Sequence, residues 1–194
     1  MSLYYKKLKF DSNFLINESL IVAVKTFTKF RPEEIINKDI LNTIESMGIQ
    51  ASMVLVLPYL KFPYSLLKKS SIHLDDVGIY DQTNLTYVID QGNACNNWYQ
   101  PIGDYQGYLS NNMVAQTLRY DQRQMSLVES AHLTESCLIQ AGTPHNVSNI
   151  SQDRWCVIIK LRQLNGDPVL WHDATRLFDR FYSDTNSATP PMYN

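Results

Sequence analysis

The sequence predicts a mainly β fold with flanking helices, closed as a double-stranded β-helix (jelly-roll) barrel in a single domain over residues 1–194. Three observations predict it. Short segments rich in β-branched and aromatic residues recur between clusters of Gly, Pro, Asn and Asp, the pattern of many short strands joined by turns. One amphipathic stripe over 31–48 supplies an outer helix. Metal-ligating side chains are divided between an early β-prone segment, Ser71-Ile72-His73-Leu74-Asp75, and a late one about seventy residues on, opened by Gly142-Thr143-Pro144-His145. A jelly roll brings such strands together at its open mouth. The barrel core is expected over about 50–162, with N-terminal strands and a helix in 1–49 and a C-terminal helix and tail in 163–194.

The elements follow in order. Residues 3–10 and 20–30 lean to β structure, the first with Leu8 and Phe10 in alternation. Arg31-Pro32-Glu33-Glu34 sets Pro and acids at a helix start, and Ile35, Ile36, Ile40, Leu41 and Ile44 continue a stripe that stops near Gly48. Residues 51–62 are apolar on both faces, as in a buried strand, with Pro58 as an interruption. The strand carrying His73 and Asp75 comes next, then a strand over 84–90 and a polar turn or loop over 91–97. Residues 98–109 mix Gly, Pro and aromatics, while 113–120 and 124–128 read either as short strands or as a helix. Strands over 137–139, 146–148 and 155–161 close the series. A helix over 171–182 carries Ala174, Leu177, Phe178 and Phe181 at helical intervals, and the chain ends in a disordered tail around Thr189-Pro190-Pro191.

The chemistry rests on spacing. Side chains at i and i+2 of a strand point the same way, so His73 and Asp75 can grip one metal ion together, and His145 completes the set. Two imidazoles and one carboxylate on one face of an octahedron hold non-haem Fe(II) and leave positions open. With Arg154 nine residues after His145, these residues resemble the 2-oxoglutarate and Fe(II)-dependent oxygenase superfamily of double-stranded β-helix dioxygenases, prolyl-hydroxylase-like among them. Residues 144–161 look like that family's two closing strands, and the resemblance covers roughly 50–162. It implies His73, Asp75 and His145 as iron ligands and Arg154 as the anchor of the distal carboxylate of 2-oxoglutarate. A guanidinium fork suits that task, since it pairs bidentately with a carboxylate and stays charged when buried. Arg162 is the rival anchor, read as a solvated strand end. Tyr59, Tyr87 and Trp155 are core or cavity-wall aromatics, with the Tyr87 hydroxyl a candidate second hold on the co-substrate carboxylate. Asn84 and Thr86 alternate with Val88 on one face and point to a cavity, and Trp98-Tyr99 either gate the mouth or pack. His132 and His172 are unassigned.

The activity so implied converts 2-oxoglutarate and O2 to succinate and CO2 while hydroxylating a C–H bond of the substrate, with a peptidyl residue favoured over a small metabolite or a nucleobase. Two other classes stay open: a cupin-like metal enzyme that does not use 2-oxoglutarate, and a non-catalytic jelly-roll binding or structural protein. A chain of 194 residues with 44% apolar and 11% aromatic content can bury one substantial core. A net charge of -2, with no run of like charge, gives no electrostatic case for nucleic acid or an anionic membrane. The three cysteines, Cys95, Cys137 and Cys156, have no framework spacing and read as reduced thiols of a cytoplasmic protein, and no segment has the length of a membrane span.

Overall fold

In the computed structural model, which describes residues 2–60, 71–75, 81–90, 92–111 and 116–183, the chain is mainly β and forms two antiparallel six-stranded sheets. The first has the order β1 (Tyr5–Lys7), β10 (Cys137–Gln140), β5 (Thr83–Asp90), β12 (Arg154–Gln163), β3 (Ile49–Tyr59), β2 (Thr28–Phe30). The second runs β7 (Tyr108–Asn111), β8 (Gln116–Tyr120), β4 (Ile72–Leu74), β11 (His145–Ser148), β6 (Cys95–Pro101), β9 (Met125–His132).

Strand β12 shows how a two-residue period builds three layers. Trp155, Val157, Ile159 and Leu161 join a core with Ile21, Ile35, Ile40, Ile44, Ala174 and Phe178 of the helices. Cys156 and Ile158 point the other way and pack with Val88 and Cys137 of the same sheet and Trp98 and Ala131 of the second. The first sheet is thus covered by helices on one face and by the second sheet on the other, which is why residues 155–161 read as nearly continuous apolar sequence. Arg154 and Lys160 share the inner face with Cys156 and Ile158 by the same alternation.

Several local expectations are corrected. The helix expected over 31–48 is two, α2 (Pro32–Ile35) and α3 (Lys38–Ser46). Ile36 adopts an extended conformation, φ -95° and ψ 138°, and Asn37 then caps α3, its side chain accepting from the Asp39 amide. Ile35, Ile36, Ile40 and Ile44 nevertheless enter one core. The β-leaning stretch 20–30 opens in α1 (Glu18–Val22), because Asn17 accepts from the Leu20 amide at 3.3 Å and starts a helix. Pro58 does not interrupt β3: β2 pairs only with residues 54–56, leaving one edge at Pro58 without a partner strand among the described residues. The loop expected over 91–97 is already strand from Cys95, since the buried amides of Asn96 and Asn97 find side-chain partners. The C-terminal helix α4 (Trp171–Leu177) stops early, and residues 179–181 form a 3-10 turn. The expected tail around Thr189-Pro190-Pro191, residues 113–115 and the end of the strand expected over 51–62, at 61–62, lie outside the described residues. No helix among the described residues is long and apolar enough to cross a membrane.

Candidate metal centre

Strand β4 lies between β8 and β11 in the second sheet, and its register with β11 sets His73 directly opposite His145. His145 is the first residue of β11, immediately after Pro144. Asp75 sits one residue past the end of β4, and the chain still returns its carboxylate to the side of His73, with Oδ1 3.5 Å from His73 Nε2. Leu74, between the two, turns away and is buried. One donor atom from each of His73, Asp75 and His145 lies within 4.8 Å of the others, close enough for a single ion to touch all three.

Each imidazole is fixed by its own backbone. His73 Nδ1 lies 2.8 Å from the Ser71 carbonyl, and His145 Nδ1 lies 2.8 Å from the Thr143 carbonyl. A carbonyl only accepts, so both Nδ1 atoms carry the proton and both Nε2 lone pairs are left for a metal. Burial pushes the His145 pKa down to about 4, helped by the neighbouring His73, so this ring is neutral and ready to ligate at neutral pH. Burial raises the Asp75 pKa, but Lys160, then the two imidazoles and the Asn84 amide, outweigh it and hold the carboxyl below its ordinary value. Two imidazoles and an ionised carboxylate therefore meet in one place, and this group can bind a metal ion.

Two more residues of the first sheet reach the carboxylate. Asn84 Nδ2 donates to Asp75 Oδ2 at 3.3 Å, and Lys160 Nζ stands 3.8 Å from the same oxygen. Asn84, read from the sequence as facing a cavity, points between the sheets at the metal-binding group. Lys160 was missed, although the sequence held a signal for it: a cation interrupts the otherwise apolar run 155–161.

Arg154 is fully enclosed and donates through Nη2 to Asn96 Oδ1 at 2.7 Å. It stands on the inner face of β12, six residues from Lys160, or roughly 20 Å along the strand at the usual rise. Cys156 lies between them: burial pushes its thiol pKa up to about 11, Arg154 draws it down and Asp75 adds to the rise. Tyr59 feels Arg154 and Asp75 as well, and its hydroxyl is held above its ordinary value mainly by burial. The interior thus runs from the metal-binding group past Tyr59 and Cys156 to the Arg154 guanidinium.

Tyr87 is a correction. It lies on the opposite face of β5 from Asn84, Thr86 and Val88, stacked on Phe14 with ring centroids 5.0 Å apart, and so faces the helical layer instead of the metal group. Trp155 faces the same way and donates to the Val24 carbonyl at 3.0 Å. Trp98 and Tyr99 pack: Trp98 is stacked on Tyr4 and Tyr5, and the Tyr99 hydroxyl donates to Asn146 Oδ1 at 3.2 Å. His132 contacts the Ala94 carbonyl, His172 is exposed beside Asp173, and neither belongs to the group. A cavity of about 300 Å3, bounded by Leu74, Tyr105, Tyr120, Thr143 and Pro144, lies on the Leu74 side of the second sheet, and none of the three ligands lines it. Comparison with family models and with curated proteins gives no match to this sequence.

Proposed function

We propose that the two sheets form a jelly-roll barrel and that the protein is an Fe(II)- and 2-oxoglutarate-dependent oxygenase that hydroxylates a C–H bond. The observation that carries the reading is the convergence of His73, Asp75 and His145 from strands far apart in sequence. The barrel is supported by the chain's alternation between sheets: β3, β5, β10 and β12 belong to the first, and β4, β6 and β11 to the second. Iron fits the donor set, because a two-His, one-carboxylate group with open positions is the usual holder of non-haem Fe(II).

When bound, Fe(II) and 2-oxoglutarate supply oxygen activation coupled to decarboxylation, with succinate, CO2 and a hydroxylated product as the outcome. The chain's own part is positioning. His73 and His145 offer Nε2 while their Nδ1 atoms are tied to Ser71 and Thr143, so neither ring has to rotate on loading. Asp75 offers Oδ1. Arg154 would receive the distal carboxylate of the co-substrate deep between the sheets, where exclusion of water strengthens a charge-assisted pair. The apolar wall of Ile158 and Val88 keeps solvent from the space between. A peptidyl side chain is the first class of substrate to offer the loaded site.

The direct test adds Fe(II) and then 2-oxoglutarate without oxygen and follows the weak visible charge-transfer band of the chelate. The band is expected in the unaltered protein and lost in Asp75→Ala and Arg154→Ala. Its absence from the unaltered protein, with no iron retained, overturns the reading. One observation favours a second reading: Arg154 is already hydrogen bonded to Asn96, as a structural arginine would be. A metal-dependent enzyme of the cupin type without 2-oxoglutarate would keep iron binding and lose nothing essential with Arg154→Ala.

A further inference from the structure

We propose that Lys160, together with Asn84, confines Asp75 to ligation through one oxygen and so keeps a coordination position open for an anionic ligand. The inference rests on the metal-centre reading above and deepens it. Its basis is that the two oxygens of one carboxylate have different neighbours. Oδ1 faces His73 Nε2 at 3.5 Å, whereas Oδ2 is met by the Asn84 amide at 3.3 Å and the Lys160 ammonium at 3.8 Å. The metal ligands all come from the second sheet or its edge, and the two residues that restrain Oδ2 come from the first, opposite one another in the β12–β5 register.

A carboxylate that chelates through both oxygens consumes two positions on the metal, and one that binds through a single oxygen consumes one. With two imidazoles and one oxygen, three positions of an octahedral ion stay free; a chelating Asp75 would leave two. For Oδ2 to turn to the metal, it must give up a hydrogen bond and an ion pair in a site largely closed to water, where both are strong. The placement of Lys160 suits a charge partner of Asp75. Its side chain is 8% exposed in a strand built of apolar residues, and an enclosed ammonium is costly unless it is paired. Lying beside the carboxylate, it also offsets part of the negative charge that Asp75 brings to the ion. The ion then attracts incoming anions more strongly than a two-His, one-carboxylate group alone would. Lys160 is accordingly a positioning residue.

The test uses the full chain loaded with Co(II), whose visible bands report coordination number, and titrates it with oxalate as a small chelating anion. The unaltered protein is expected to bind both. Lys160→Met should retain Co(II) to within about threefold, since removal of a nearby cation does not weaken a metal site. Its visible spectrum should change, and it should bind oxalate at least about tenfold more weakly, a loss of about 1.4 kcal/mol. Lys160→Arg should restore most of that affinity. A purely structural tie between the sheets would instead lower thermal stability and leave spectrum and oxalate affinity unchanged, and that result in folded Lys160→Met overturns the proposal. Should Lys160→Met not fold, Asn84→Ala carries the test by the same spectrum and titration, with loss of oxalate affinity expected and no change overturning the proposal. If the unaltered protein takes up no Co(II), the metal-centre reading itself fails and this inference with it; Co(II) uptake with indifferent variants sinks the inference alone.

Discussion

His73 and His145 occupy matched positions on neighbouring antiparallel strands, their rings 4.7 Å apart between centroids and inclined by 49°. Two imidazoles held this closely, both with Nδ1 tied to backbone, leave their Nε2 atoms to share one cation. Metal should therefore stabilise the folded chain. At a free concentration of Co(II) or Fe(II) about a hundredfold above Kd the gain is about 2.7 kcal/mol, a rise of several degrees in Tm for a chain of this size. Asp75→Ala and His145→Ala should abolish the rise. Differential scanning calorimetry with and without the ion checks it.

Arg154 separates co-substrate from metal. Arg154→Met should leave Co(II) binding in place and remove any effect of 2-oxoglutarate on the spectrum of the loaded protein. It also strands the Asn96 carbonyl in the interior, and an acceptor so orphaned costs about 1–3 kcal/mol. Urea unfolding of the variant should show a loss in that range. An unchanged response to 2-oxoglutarate would favour the structural role of the Arg154–Asn96 pair.

The metal-free protein should weaken in acid. His145 titrates near its ordinary 6.5 when unfolded and at about 4 when folded, so between those values the unfolded chain binds more protons. Its contribution is fully present above about pH 6.5 and declines as pH falls to about 4, by about 3 kcal/mol at the upper end. Asp75, held below its ordinary value, adds a further loss below pH 3.8. Denaturation midpoints measured from pH 7 to pH 4 should slope downward, and His145→Gln should flatten the slope.

The cysteines should differ in reactivity. Burial pushes the thiol of Cys156 up to about 11 and that of Cys137 up to about 12, so at pH 8 the thiolate fraction of each is on the order of one in a thousand or less. Cys95 is only half-buried. Iodoacetamide at pH 8 should label the native protein once, at Cys95, and the denatured protein three times, as counted by mass spectrometry of intact and digested protein.

What the sequence made legible depended on how local the cause was. The alternation through Trp155, Cys156, Val157 and Ile158 is a property of consecutive residues, so strand β12 and its two faces could be read directly. The same holds for His73 and Asp75, two residues apart. Which face of β5 looked inward was not local: Asn84 and Tyr87 lie on opposite sides, and only the register with β12 and the covering helices decides that the tyrosine packs on Phe14. The break between α2 and α3 turned on Asn37, whose capping bond competes with a continuous helix that the apolar spacing alone would favour. Asn96 and Asn97 read as loop because their amides need partners, and those partners, Arg154 and Asn146, arrive from strands about fifty residues later. Lys160 is the instructive omission, since a charge inside an apolar run was visible while the carboxylate it serves was not.

The pairing of β4 with β11 gives ion uptake a second meaning. A strand slipped by one residue presents its other face, so a chain that paired Leu74 or Ile72 opposite His145 would send the His73 ring to the wrong side of the sheet. Such a molecule has no complete ligand set. During refolding, the fraction of chains that capture the ion thus counts those that have aligned these two strands, and an added cation acts as a proofreader of strand alignment, drawing misaligned chains back through unfolding by withdrawing the correct ones from exchange.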